Sequence, residues 1–367
     1  MKKSRLIIFI IVLLVIATVS IRFVKNVKTT NSSEEEVQEL TKIETSYNEE
    51  IIYRKLQKGL VQYWNGSLYF YDVQGNEKWH NYLGITNPLI KTNKNNIYVI
   101  DNNLKQLIRI DEKGQIQYRY TMEMPLNNFE ISDDNYVIIQ YPKENNMVNL
   151  QIIDDEGRKY SKIVLTEGDV INLSLSKSHD IIAINTLITQ NSLESRLLLY
   201  DLNGQLIGSN HIEEQLVLGF EYDKKGNLIV IAEDEVFSIN RNNEILWRTS
   251  VNRIKNFSNY PDEYMVIYGH RSSKNPFIHT EGNEDLNILK YNGKITAKAQ
   301  VGEEILGLDV DRDGILLYST RSIYLLDING KIIMTNKYLH DIKDVFIFPK
   351  GHLVVASKED LSFLKIN

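Results

Sequence analysis

Residues 218–250 read "LGFEYDKKGNLIVIAEDEVFSINRNNEILWRTS". Four short runs stand out, "LGFEY", "NLIVIA", "EVFSIN" and "EILWRTS", parted by "DKKG", "ED" and "RNN". Each run is rich in β-branched and aromatic residues, which suit a pleated, half-buried surface. The linkers are too short for anything but tight turns, so neighbouring runs must be antiparallel. Residues 305–336, "ILGLDVDRDGILLYSTRSIYLLDINGKIIMTN", repeat the plan. Four short antiparallel strands in about 40 residues is the blade of a β-propeller.

The corner between the last two runs recurs along the chain. It is built on Asp72 and Gly75, Asp111 and Gly114, Asp154 and Gly157, Asp201 and Gly204, Asn240 and Asn243, Gly293, and Asp327 and Gly330. A period near 40 is the mark of a repeat array, and no helical period of that length competes with it. Asp suits the first position of a type I turn, and Gly the fourth, where the chain enters the left-handed region. Asn243 in place of Gly satisfies the same geometry. The motif is therefore a turn. Trp79, Tyr118 and Trp247, each four residues after the corner's fourth position, are expected to share one packing position.

Seven such corners are present, and the tail "DVFIFPKGHLVVASKEDLSFLKIN" adds three strands without a fourth. A closed ring leaves no open sheet edge. The early strand "EEIIYRK", residues 49–55, is expected to complete the last blade. That predicts an all-β, eight-bladed propeller over residues 51–367, with seven blades as the alternative if the terminal strands merge.

The D-x-x-G-x-x-x-W pattern of Asp72, Gly75 and Trp79, echoed by Asn240, Asn243 and Trp247, resembles the repeats of quinoprotein-type (PQQ-like) propellers over roughly residues 55–367. Enzymes of that family use the quinone and calcium to oxidise alcohols or sugars, some with a vicinal cysteine pair. This chain has no cysteine, and most of its repeats lack the tryptophan. The resemblance thus points to the non-enzymatic, membrane-tethered branch, with no cofactor. The chain also resembles membrane propellers of low-GC Gram-positive (clostridial) bacteria.

"MKKSRLIIFIIVLLVIATVSIRFVKNVK" opens the chain, with six basic residues, no acidic one, and no charge from Leu6 to Ile21. It reads as a cytoplasmic tail (1–5) and an uncleaved signal-anchor span (6–24); Arg22 can snorkel to the interface. A cleaved signal peptide is the rival, with a weak site at Thr18-Val19-Ser20. Basic residues are tied at three on each side of the span, so the charge rule does not orient it. Large C-terminal domains translocate largely regardless of charge, which places the body outside the cytoplasm. Residues 25–50 read as a polar stalk, with a helical stretch over 34–43.

Without Cys, disulfides, zinc ribbons and thiol nucleophiles are excluded. Beyond residue 28 there are 36 basic against 48 acidic residues, a balance that repels nucleic acid. Asp309, Asp311 and Asp313 match the start of a calcium loop, but its twelfth position is Thr320 rather than Glu, and a plain turn is the favoured reading. His270 and His279 flank an insertion in the longest repeat, a solvated loop or a partner contact. No nucleophile elbow, phosphate loop or zinc-protease motif is present. Two functions fit. One is a membrane-anchored extracytoplasmic module that binds another envelope or membrane protein. The alternative is a carbohydrate or small-molecule binder, or a hydrolytic enzyme, using the central funnel.

Overall fold

The computed structural model describes residues 37–45, 51–176, 178–189, 194–213, 215–251, 253–270, 284–312 and 314–366. These form eight four-stranded antiparallel sheets. Blade 1 comprises Ile52–Leu56, Gly59–Trp64, Ser67–Asp72 and Glu77–Tyr82. Blade 5, the opening stretch, comprises Val217–Tyr222, Leu228–Ala232, Glu235–Ile239 and Ile245–Ser250. The first strands of blades 2, 3, 4, 6 and 7 are Leu89–Thr92, Asn128–Ile131, Asp169–Ser176, Ile254–Tyr260 and Gly307–Asp311. First strands lie against one another from blade 1 to blade 5 and from blade 6 to blade 8, and so line the axis.

Each blade buries both faces against its neighbours. Eight apolar clusters result, one between every pair of adjacent blades. Second and third strands supply most of them; Ile97, Val99, Ile108 and Ile110 are examples. Each fully buried aliphatic side chain contributes about 1.5–3 kcal/mol.

Blade 8 holds the seam. Its first three strands are Ile342–Phe348, His352–Ser357 and Asp360–Ile366, and its fourth is Val37–Glu44. Val37 pairs with Ile366 and Glu44 with Asp360. Ring closure by an N-terminal strand was expected, but from the wrong segment. Ile52–Leu56 is the first strand of blade 1, and residues 37–44 are a strand rather than stalk or helix. In "VQELTKIE" Glu39 and Lys42 led the reading toward a solvated spacer. An outermost strand keeps one edge in water, so such residues are tolerated there. The propeller therefore begins at Val37, and it has eight blades rather than seven. The predicted tail and span lie outside the described residues. Among the described residues no helix is long and apolar enough to cross a membrane.

Alternating strand direction fixes which loops share a rim. First-to-second and third-to-fourth turns lie on one, the turn rim. Second-to-third turns and the links between blades lie on the other, the link rim.

Candidate functional site

The repeated corners occupy the turn rim and consume their own polar groups. Asp72 accepts backbone N–H bonds from Gln74 and Asn76, while Gly75 N–H donates to Asp72 C=O. Asp111, Asp154, Asp327 and Asn240 accept from the same two positions of their turns, and Asp201 from the second. Burial alone would raise the Asp72 carboxyl. Bonds from Lys78, Asn76 and the turn amides outweigh it and hold the group at about 2. In blade 6 Lys290 stands at the Asp position, and Gly293 N–H still closes the turn.

The fourth corner residue adopts positive φ, +79° at Gly114 and +68° at Asn243. It also makes room for the preceding blade. A Cβ on Gly114 would sit 2.8 Å from the Trp79 ring, one on Gly157 2.7 Å from Tyr118, and one on Gly293 2.4 Å from Trp247. Trp79 stacks on Phe70 and donates its indole N–H to Glu112 C=O at 3.0 Å. At Gly75 the seam strand does this work through Thr41, whose hydroxyl donates to Gln74 C=O. Gly204 and Gly330 meet backbone carbonyls of the preceding blade instead.

Asp309 lies on the first strand of blade 7. Its carboxylate is committed to Lys55 Nζ at 2.7 Å and Ile347 N–H at 2.9 Å, which a calcium ligand could not share freely. Asp311 ends that strand, and Asp313 lies outside the described residues. Among the described residues no three His, Asp or Glu side chains are placed to hold a metal. His270 ends the second strand of blade 6, its N–H bonded to Arg253 C=O, while His279 lies outside the described residues.

A cavity of about 830 Å³ opens where the first strands and turns of blades 3 to 6 converge. At its entrance Asp133 pairs with Lys94 at 2.7 Å, and Asp134 accepts the Ser178 N–H at 2.9 Å. His179 Nδ1 lies 2.8 Å from Ser176 Oγ, and its ring stacks on Tyr222. Deeper, Glu221 of blade 5 faces Asn259 and Phe257 of blade 6. Gly219, two residues earlier on the same face, leaves space for the Phe257 ring, which a Cβ would meet at 2.4 Å. Asn259 is itself fixed by its Nδ2–H bond to the Tyr291 hydroxyl, 2.9 Å.

Burial, reinforced by Asp133, pushes the Glu221 carboxyl up to about 7, against the Asn259 hydrogen bond. A carboxyl raised on folding binds its proton more tightly in the folded state. Its stabilising effect is therefore full below the ordinary glutamate range and lost as pH rises to about 7. Glu221→Gln is expected to be more stable than the parent at pH 8 and to match it near pH 4.5. Thermal melts across that range check it; a gap that widens toward acid would refute the assignment.

Two first-strand carboxylates around the axis are paired with lysines. Lys91 pairs with Glu130, and Lys55 with Asp309. Asp344 is raised to about 6 by burial first and Asp309 second, with Arg54 opposing. The sequence did carry a signal for Glu221. It is a charge within a first strand, as are Arg54, Lys91, Glu130 and Asp309.

A family model described as "Family of unknown function (DUF5711)" matches residues 28–366. No curated protein matches the sequence. Among solved structures, BamB from Moraxella catarrhalis aligns with a TM-score of 0.58 and 11% identity, covering 90% of this chain and 98% of that one. KlHsv2 with loop 6CD replaced by a Gly-Ser linker aligns at 0.54 and 11%, covering 78% and 98%. At such identities the likeness is one of fold.

Proposed function

The chain belongs to this family of unknown function, DUF5711, and we propose that it is a membrane-anchored interaction module whose propeller lies outside the cytoplasm and binds another envelope or membrane protein. The observation that carries this reading is the distribution of exposed apolar side chains. The eight inter-blade cores absorb the bulk of the aliphatic residues, yet the three most exposed large hydrophobic side chains among the described residues, Tyr82, Leu104 and Leu339, stand 77, 67 and 85% exposed. Leu104 lies in a second-to-third turn, Leu339 in a link between blades, and Tyr82 ends a fourth strand beside such a link, so all three sit at the link rim. Exposed apolar groups on one rim of a rigid scaffold are what a partner surface needs. The uncharged run from Leu6 to Ile21 supports the anchor, and the PQQ-like, membrane-tethered resemblance of the repeats is consistent with it.

A second reading, a carbohydrate or small-molecule site or a hydrolytic centre in the funnel, is favoured by the carboxylates and aromatic rings that line the 830 Å³ cavity. The two are separated by chemical cross-linking in intact cells followed by recovery of the tagged full chain. The module reading expects one recurrent membrane or envelope protein, lost when Leu104 and Leu339 are both changed to Asp. A recovery unchanged in the double variant would sink the link rim as the docking surface.

A further inference from the structure

Within the cavity at the axis Glu130 is paired with Lys91 and Asp133 with Lys94, but one carboxylate, Glu221, has no such cation. Lys91 neutralises Glu130, and Lys55 neutralises Asp309. Among the described residues no lysine or arginine lies within ion-pair distance of Glu221. Glu221 lines the cavity, partly buried, with the Asn259 amide as a neighbouring polar group. Beside it, on the same face of the strand, Gly219 receives the Cζ tip of the Phe257 ring, which is partly exposed and lines the cavity. A carboxylate and an aromatic ring lining one cavity are two surfaces that a guanidinium or ammonium group can use together, one by ion pairing and one by cation–π attraction. Asn259, on the neighbouring first strand, is pinned by Tyr291. The entrance offers a second carboxylate, Asp134, to a chain following that side chain in.

We propose that this cavity receives a cationic side chain, arginine or lysine, from the protein partner, and seats it between the Glu221 carboxylate and the Phe257 ring. The proposal rests on the interaction-module reading and deepens it by naming what the partner must present. It also demands a proton balance. Glu221 must be ionised to hold the cation, so binding releases a proton whenever the free carboxyl is protonated. With a free carboxyl titrating at about 7, affinity rises about tenfold between pH 6 and pH 8.

The test uses the purified full chain in detergent and three short acetylated, amidated peptides that differ only at the central residue: arginine, lysine or citrulline. Titration calorimetry is run at pH 6 and pH 8, with spermidine as a separate ligand. The expected result is binding of the arginine and lysine peptides, at least tenfold weaker binding of the citrulline peptide, and the pH dependence given above. Glu221→Gln removes both the preference and the pH dependence, and Phe257→Leu weakens the preference by severalfold. Equal binding of the arginine and citrulline peptides, or an unchanged preference in Glu221→Gln, overturns the proposal. Spermidine binding as tightly as the peptides overturns the assignment to a protein side chain. If the peptides fail while cross-linking still recovers a partner through Leu104 and Leu339, this proposal falls and the module reading stands.

Discussion

Replacing Gly114 with valine is expected to lower the unfolding midpoint of the propeller more than any other single change among the corner glycines with an aromatic neighbour in blades 1 to 3. Two costs combine. The residue sits at φ +79°, which costs a side chain about 1–2 kcal/mol, and more when it is β-branched. The new Cβ would also lie 2.8 Å from the Trp79 ring, and that ring cannot retreat. It is stacked on Phe70 at 5.7 Å and tied through its indole N–H to Glu112 C=O. Displacing it opens the contact between blades 1 and 2 and leaves the indole N–H without its partner, for a further loss of about 1–3 kcal/mol. Gly302→Ala is the control. Gly302 does not adopt positive φ, and nothing lies within 4 Å of its Cβ position, so the midpoint of this variant is expected to stay put. Denaturant midpoints of the two variants decide the matter. A Gly114→Val protein as stable as the parent would mean that the corner does not dock the neighbouring blade.

The larger effect is expected from removing Val37–Glu44. That deletion strips blade 8 of its fourth strand and exposes the whole edge of Asp360–Ile366, from the partner of Val37 to that of Glu44. It also uncovers the corner of blade 1, because Thr41 packs over Gly75 and bonds Gln74 C=O. The cluster joining blades 8 and 1, with Phe346, Phe348, Leu361 and Phe363 against Leu60 and Tyr71, loses Leu40 and Ile43 from its margin. An unpaired edge beside a fresh apolar surface is a template for association. The truncated chain is expected to aggregate or to melt more than 10 °C lower, while a peptide of residues 37–44 added in excess should recover part of the loss. Size-exclusion chromatography and melts with and without the peptide test this. A monomeric, fully stable truncated chain would show that the ring is held by the first three strands alone.

The repeat architecture was legible because its signals are local. The Asp and Gly of each corner sit three residues apart, and every hairpin advertises itself through alternation. Trp79, Tyr118 and Trp247 could be grouped from spacing alone, though what they press on could not, since Gly114, Gly157 and Gly293 belong to the next blade. The seam was misplaced for a related reason. Residues 37–44 are polar enough to pass as a spacer, and their partner lies more than 300 positions away, at Asp360–Ile366. Glu221 was illegible as a site because its neighbours Phe257 and Asn259 come from the next blade, brought close only by the ring. Asp309 shows the converse. Its spacing suggested calcium, and the fold gave it to Lys55, on a strand that lies two blades round the ring.

The pairing of Val37 with Ile366 also sets a timetable. Ribosomes add roughly 5–20 residues per second, so the strand at 37–44 waits roughly 15–65 s for its partner to be made. Until then the ring stays open, and every blade behind it is a provisional structure with one bare end. Closure is thus a test of completeness. A chain cut short by even one strand at its C-terminus has nothing for Val37–Glu44 to grip, and it is marked as unfinished by the surface it leaves exposed.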